Sequence, residues 1–167
     1  EEALDVWKYR MLDLFRKGIR NVLLAGGEPA LRMDVLMLAN EIFPTVYVIT
    51  NGLIKIPEDF RHTIFLSLDG MEKTNDAIRG EGTFSKIIAN YSNDSRVIIN
   101  MTLMKENYQE LEEVVKLSVA MNFTGVVCNI YTHYNFDIAS DTLIVSPEER
   151  AGIISEMKRV KKLYPLN

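Results

Sequence analysis

The chain has 167 residues, enough for one domain with a sizeable core, and its 47% hydrophobic and 25% charged residues exclude disordered and coiled-coil proteins. A net charge of −4 gives no support to a nucleic-acid surface, and no apolar run approaches the roughly 18 residues that a membrane span needs. The single cysteine, Cys128, excludes an internal disulfide framework. Because the start of the chain also lacks a signal-peptide pattern, the sequence predicts a cytoplasmic protein with no membrane partner.

Helical and strand-like segments alternate along the chain. Short runs rich in Val, Ile and Leu predict five β-strands, at Asn21–Ala25, Val46–Thr50, Ile64–Leu68, Arg96–Met104 and Gly125–Tyr131. Apolar residues at helical spacing predict helices at Glu2–Lys17, Leu31–Ile42 and Thr83–Tyr91, and two more that begin near Asn107 and Ser146. Shorter pieces of structure are expected at Pro57–Phe60 and Thr74–Ile78.

Two segments carry the pattern of a helix N-terminus. Asn107 is followed three residues later by Glu110, and Ser146 is followed by Glu149, so both pairs match a capping box. Pro147 at the first helical position strengthens the second match. Both patterns predict that the first side chain of the pair caps its own helix.

The alternation of helices and strands predicts an α/β protein with a parallel sheet. Its strands should follow one another in sequence order, with helices covering the outer face. The pattern begins with a helix, and the first residue is Glu1 rather than methionine. We therefore expect residues 1–167 to be a fragment whose first strand lies upstream.

The first candidate site follows the first predicted strand, because ligands of parallel α/β sheets bind at the carboxyl ends of strands. The segment there is Gly26, Gly27, Glu28 and Pro29. The glycines let the backbone approach a ligand closely, and the carbonyls with the Glu28 carboxylate suit an ammonium group better than a phosphate. The alternative is a tight turn in which Pro29 starts the next helix.

Polar residues also mark the end of the third predicted strand. Ser67 and Asp69 alternate with Leu66 and Leu68, so we expect the polar pair to face a ligand and the leucines to face helices. Both faces of this strand are then expected to be covered. The alternative is that Ser67 and Asp69 only cap the turn at Gly70.

Other candidates lie further along the chain. Asn100 and Thr102 share a face of the fourth strand, where an interior amide needs a ligand or a polar neighbour. Arg79 is a candidate partner for a carboxylate, with a surface arginine as the alternative. His133 follows the fifth strand and is a candidate substrate contact. The one cysteine and the two distant histidines, His62 and His133, do not match a metal site, and Cys128 is expected to be a buried apolar residue.

Three strand-end motifs in this order resemble the radical S-adenosylmethionine (radical SAM) superfamily. They are GGEP at 26–29, TNG at 50–52 and SLDG at 67–70, and DAIRG at 76–80 with GTF at 82–84 adds to the likeness. The resemblance covers nearly the whole chain. It implies that residues 1–167 are the core of a partial (β/α)6 barrel that lacks its first strand.

The resemblance also implies cofactors and contacts. It implies a [4Fe-4S] cluster and SAM, reduction of SAM to a 5′-deoxyadenosyl radical, hydrogen abstraction from a substrate that the sequence does not identify, and an electron donor such as flavodoxin or ferredoxin. The segment Gly26, Gly27, Glu28 and Pro29 would receive the SAM amino group, and Ser67 would contact SAM. Arg79 and Asn100 would reach the SAM carboxylate and ribose. Asp69 is placed with these residues as a cofactor contact.

The chain departs from the family at the cluster. The CxxxCxxC loop of the family is absent, and Cys128 cannot replace it. We expect the loop to lie upstream of Glu1, so that the 167 residues alone are inactive and contain no metal ligand. The alternatives are a SAM-fold binding or scaffold module without a cluster, and a different barrel enzyme using acid/base chemistry. Few paired carboxylates or histidines lie at the strand ends to support that last alternative.

Overall fold

The structure is a computed structural model that describes residues 2–132 and 145–165. Within these residues the elements are, in chain order, α1 (Leu4–Arg16), β1 (Asn21–Leu24), a 3₁₀ turn (Pro29–Arg32), α2 (Met33–Ile42), β2 (Thr45–Thr50), β3 (Thr63–Ser67), α3 (Glu72–Arg79), α4 (Thr83–Tyr91), β4 (Val97–Leu103), a second 3₁₀ turn (Tyr108–Glu110), α5 (Leu111–Ala120), β5 (Gly125–Ile130) and α6 (Pro147–Leu163). None of the described helices is long and apolar enough to cross a bilayer.

The five strands form one parallel sheet in the order β1-β2-β3-β4-β5. This confirms the predicted α/β class, with a sequential parallel sheet and helices around it, as in part of a β/α barrel. The register brings Val48 opposite Ile64, and Ile64 opposite Val97. These three side chains are fully buried, so one apolar row crosses the middle of the sheet.

The connection between β2 and β3 departs from the expected alternation because it contains no helix. Residues 51–62 form a loop instead, and Gly52 and Pro57 interrupt helical structure within it. The loop is fixed by the buried side chains of Ile56 and Phe60. The hydroxyl of Tyr91 adds two hydrogen bonds, accepting one from the Ile56 N–H (3.1 Å) and donating one to the Ile54 carbonyl (2.9 Å).

The two faces of the sheet have different surroundings. The outer face packs against the helices, and its residues Val46, Leu66, Ile99 and Met101 are fully buried. On the inner face the described residues leave the side chains partly open, and Leu23 and Val127 are exposed. On β3, to which the expectation of two covered faces applied, Ser67 is buried and Phe65 half-buried, so the exposed positions of the inner face lie on the edge strands β1 and β5.

One of the two predicted capping boxes is present. The Ser146 hydroxyl accepts from the Glu149 N–H (3.1 Å), and the Glu149 carboxylate accepts from the Ser146 N–H (2.9 Å). The predicted box at Asn107 and Glu110 is wrong, because both side chains bond to distant parts of the chain. α5 begins after them, at Leu111.

Candidate functional site

The Glu28 carboxylate joins the loop after β1 to the end of β2. Its Oε1 accepts hydrogen bonds from the Ala30 N–H (2.9 Å) and the Thr50 hydroxyl (2.7 Å), and its Oε2 accepts one from the Asn51 N–H (2.8 Å). Pro29 follows at the start of the 3₁₀ turn, for which Glu28 is the N-cap. The GGEP and TNG motifs are thus held together by one side chain.

The glycines of this loop are its most accessible part. Gly26 and Gly27 are both exposed, and a Cβ atom added at either would have no atom within 4 Å. Gly26 has a φ of +139°, which an L side chain rarely adopts, so the conformation itself requires glycine. Because three donors already occupy Glu28, the exposed backbone carbonyls are better placed than its carboxylate to receive a ligand ammonium.

Asp69 forms the second junction of the strand ends. Its Oδ1 accepts from the Thr102 N–H (2.7 Å), which joins the end of β3 to β4. Its Oδ2 lies 2.6 Å from Nη2 of Arg79, at the end of α3. The Asp69 side chain is 4% exposed and that of Arg79 27%, so the pair is largely removed from water. Nε of Arg79 is buried without a partner among the described residues.

Two buried amides and one carboxylate support this junction and were not predicted as site residues. Asn75 accepts from the Asp69 N–H (3.1 Å). Nδ2 of Asn107 donates to the carbonyls of Asp69 (3.0 Å) and Thr102 (2.8 Å). Glu110 accepts from the N–H of Met71 (2.7 Å) in the turn after β3. A polar residue at 75, 107 or 110 carries no sequence signal for such long-range contacts.

Gly70 shows how closely this turn is packed. Its φ is +143°, and an added Cβ would lie 2.7 Å from Oε2 of Glu110 and 3.0 Å from the Thr74 side chain. The close approach of Glu110 to the Met71 N–H therefore requires glycine at this position.

Ser67, Asn100 and Asn129 lie together on the inner face of the sheet. Ser67 is opposite Asn100 in the pairing of β3 with β4. Nδ2 of Asn129 on β5 donates to Oδ1 of Asn100 at 2.9 Å, so Asn100 has the polar neighbour that an interior amide needs. The Ser67 hydroxyl is nearly buried and makes no hydrogen bond to a described residue.

Two pockets flank these groups. A pocket of about 370 Å³ lies beside the GGEP loop and is lined by Trp7, Leu23, Gly27, Glu28 and Arg32 among others. A second pocket, of about 400 Å³, is lined by Asn51, Leu53, Asp69, Ile78, Arg79, Thr83 and Ile87. Asn51 therefore connects the Glu28 junction to the Asp69 junction, since it bonds to the first and lines a pocket with the second.

Asp76 organises the DAIRG and GTF segments without contacting the strand ends. Its carboxylate accepts from the N–H groups of Gly82 (2.7 Å) and Phe84 (2.8 Å) and from the Thr83 hydroxyl (3.0 Å). The backbone hydrogen bond from Phe84 is the main cause that lowers the pKa of Asp76 below its usual 3.8. This carboxylate holds the start of α4 rather than a ligand.

The described residues do not fit the iron–sulfur cluster that the resemblance implies. Among residues 2–132 and 145–165, no group of three or more His, Cys, Asp or Glu side chains is placed to hold a metal ion. Cys128 is half-buried, and burial raises its pKa to about 11, so it remains a thiol at neutral pH. His133, the candidate substrate contact, lies outside the described residues.

The eight candidate residues thus occupy one edge of the sheet, in two junctions and one inner-face cluster. Glu28 and Pro29 belong to the first junction, with Gly26 and Gly27 in its exposed loop. The others are Asp69 and Arg79 in the second junction, and Ser67 and Asn100 on the inner face.

Comparisons with known proteins give two relatives with modest identity. The chain is 29% identical over 131 residues to the sporulation killing factor maturation protein SkfB of Bacillus subtilis, an alignment covering 70% of this chain and 32% of that protein. It is 30% identical over 120 residues to the pre-heme d1 synthase of Dinoroseobacter shibae, covering 63% of this chain and 30% of that protein. No protein-family model matches the chain. The chain thus spans about a third of the length of the curated relatives to which it is similar.

Proposed function

We propose that this chain is the SAM-binding core of a radical SAM enzyme. The observation that carries the proposal is that GGEP, TNG and SLDG, the motifs of the resemblance, meet at one edge of a parallel sheet. The similarity to a maturation protein and to a synthase supports an enzyme. The substrate would approach along the open inner face, and the proposal places the protein in the cytoplasm.

The groups at this edge match the chemistry of SAM. Carbonyls of the exposed Gly26–Gly27 loop are acceptors for its ammonium group. The Ser67 hydroxyl and the Asn100 amide are neutral partners for its ribose oxygens. Nε of Arg79, buried and unpaired among the described residues, is a donor for its carboxylate. Asp69 holds that guanidinium in place and would contact the cofactor only through it.

The proposal includes a [4Fe-4S] cluster, although the described residues do not provide its ligands. When bound, a [4Fe-4S] cluster supplies the electron for reductive cleavage of SAM, and flavodoxin or ferredoxin is the class of protein that would reduce it. Its three thiolates would come from other residues, since Cys128 is protonated at neutral pH. What this chain contributes is the binding and orientation of SAM.

Two neighbouring residues of β3 provide the test, because they point to opposite faces. Ser67→Leu places an apolar side chain on the inner face, and calorimetric titration should show SAM affinity reduced roughly ten-fold, while the loss of stability should be smaller than that caused by Leu66→Ser. Leu66→Ser removes a fully buried side chain and should cost about 2–4 kcal/mol of stability. If the wild type shows no SAM binding, or if affinity only follows stability in both variants, the proposal fails.

A further inference from the structure

We propose that Asn129 is a positioning residue for the ligand site: it fixes the carboxamide of Asn100 so that Asn100 presents its N–H₂ group to an acceptor atom of bound SAM. The proposal rests on the proposed function for the identity of the ligand. The pairing of the two amides is independent of that identity.

The placement follows from the register of the sheet. Asn100 on β4 is opposite Val127 on β5, and Asn129 is opposite Thr102, so Asn129 lies one inner-face position nearer the carboxyl end. Its Nδ2 reaches back diagonally to Oδ1 of Asn100 at 2.9 Å. Both side chains face the inner side of the sheet, which the described residues leave partly open.

The hydrogen bond determines which edge of Asn100 is available. A carboxamide has one acceptor and one donor edge of nearly the same shape, and rotation by 180° exchanges them. Because Oδ1 of Asn100 already accepts from Asn129, the free edge of Asn100 is its N–H₂ group. No other described side chain makes a hydrogen bond to Asn100, so Asn129 alone sets this orientation among them.

The neighbours of the amide pair explain why a ligand should bind to the free N–H₂ group of Asn100. Ser67 is opposite Asn100 on the other side, yet its hydroxyl bonds to neither amide. The Asn100 N–H₂ group and the Ser67 hydroxyl thus belong to paired positions on the same face of the sheet, so one ligand could accept a hydrogen bond from each of them. Fixing the amide in advance lowers the entropy cost of that contact.

A double-mutant cycle on the full chain tests the positioning role. SAM affinity is measured by calorimetry for the wild type, Asn129→Ala, Asn100→Ala and the double variant. We expect Asn129→Ala to weaken SAM roughly three- to ten-fold, and to have no further effect once Asn100 is alanine. A control, Asn21→Ala, removes an exposed amide at the amino end of β1, whereas the site lies at the carboxyl ends of the strands. This variant should leave the SAM affinity unchanged.

A second readout does not need the ligand. In ¹⁵N-labelled protein without SAM, the side-chain amide of Asn129 should show a hydrogen-bonded resonance that is lost in Asn100→Ala. The inference is overturned if that resonance is insensitive to Asn100, or if Asn129→Ala weakens SAM equally in both backgrounds or not at all. If the wild type does not bind SAM but the amide pair is observed, the proposed function and the ligand assignment fail while the pairing stands.

Discussion

At the scale of single residues, the carboxylates at the carboxyl ends of the strands mainly accept hydrogen bonds from backbone N–H groups. Glu28 accepts from two N–H groups and a hydroxyl, Asp69 accepts from the Thr102 N–H, and Glu110 accepts from the Met71 N–H. Except for the bond from the Ala30 N–H to Glu28, these contacts join segments that are far apart in the sequence. Negative charge is therefore used to align the strand ends, and a ligand of the proposed site would meet the backbone that these carboxylates hold in place.

Replacement of Glu28 tests this structural role. Glu28→Gln exchanges one acceptor oxygen for an N–H₂ group facing the N–H of Asn51 or the donors of Ala30 and Thr50. We expect a loss of about 1–3 kcal/mol in the free energy of unfolding, measured by denaturant titration, because at least one donor loses its partner. The sequence assigned the Glu28 carboxylate to a ligand ammonium group, whereas its three hydrogen bonds predict an effect on stability.

A matched control is available on the next helix. Glu41 on α2 is exposed and makes no side-chain hydrogen bond to a described residue, so Glu41→Gln should leave stability within about 0.5 kcal/mol of the wild type. If Glu28→Gln is as harmless as this control, the carboxylate does not hold the two loops together.

The positions of the candidate residues could be predicted from the sequence, but their partners could not. Glu28 and Asp69 stand at strand ends, and the carboxyl ends of parallel strands share an edge of the sheet. Which donor each one meets depends on register between strands and on loop paths, as with Asp69 and Thr102, 33 residues apart. Asn75 and Asn107 were missed for the same reason.

At the scale of elements, two helix starts show when a local sequence pattern determines how a helix is capped. Ser146 bonds within its own turn, and Glu149 keeps its capping bond through Oε2 while Oε1 pairs with Lys105 at 3.2 Å, so the capping box forms as the spacing predicts. Asn107 and Glu110 have the same spacing, but the unpaired carbonyls and N–H groups of the β3 and β4 ends lie within reach. Buried backbone groups must be satisfied, and this requirement outweighs the local cap.

The start of α4 gives a pH-dependent prediction. The pKa of Asp76 is lowered in the folded protein, so its stabilising effect is present above its ordinary pKa of 3.8 and is lost as the pH falls through the lower folded value. Asp76→Asn should therefore be clearly less stable than the wild type at pH 7. The difference in melting temperature should begin to narrow near pH 4, where Asp76 of the unfolded chain takes up a proton, and should be lost once the pH falls below the lowered pKa of the folded state.

Asp59→Asn is the control, because Asp59 is exposed and its side chain makes no hydrogen bond to a described residue. This variant should melt close to the wild type at neutral pH. A gap between Asp76→Asn and the wild type that stays constant on acidification would show that the charge of Asp76 does not hold the helix start.

At the scale of the whole molecule, the alternation of elements was sufficient to predict the sheet. Hydrophobic runs of strand length separated by helical periodicity allow few arrangements, and the observed sequential parallel order is one of them. The sequence predicted helices on the outer face, with Leu66 turned toward them, but it did not predict how exposed the inner face would be at Leu23 and Val127. Tyr47, Phe65 and Ile98 are apolar like the buried outer residues, so on these strands composition alone does not show how far each face is covered.

The open face and the joined strand ends together define the site of the proposed reaction. SAM would lie at the edge formed by the Glu28 and Asp69 junctions, and the substrate would approach along the inner face. In the proposed reaction the electron would come from an iron–sulfur cluster, for which the described residues provide no ligand group. Reductive cleavage of SAM therefore tests the central claim, whereas SAM binding alone would also suit a scaffold module.

The direct measurement is formation of 5′-deoxyadenosine from SAM. The protein is isolated anaerobically at its natural length, its iron and sulfide are reconstituted, and the nucleoside is quantified by chromatography with and without dithionite. We predict 5′-deoxyadenosine only with the reductant, and neither product nor cluster absorbance when the 167 residues are treated alone, because they contain one thiol. SAM bound by the reconstituted natural-length protein with no reductant-dependent 5′-deoxyadenosine would contradict the account and indicate a SAM-binding module without radical chemistry.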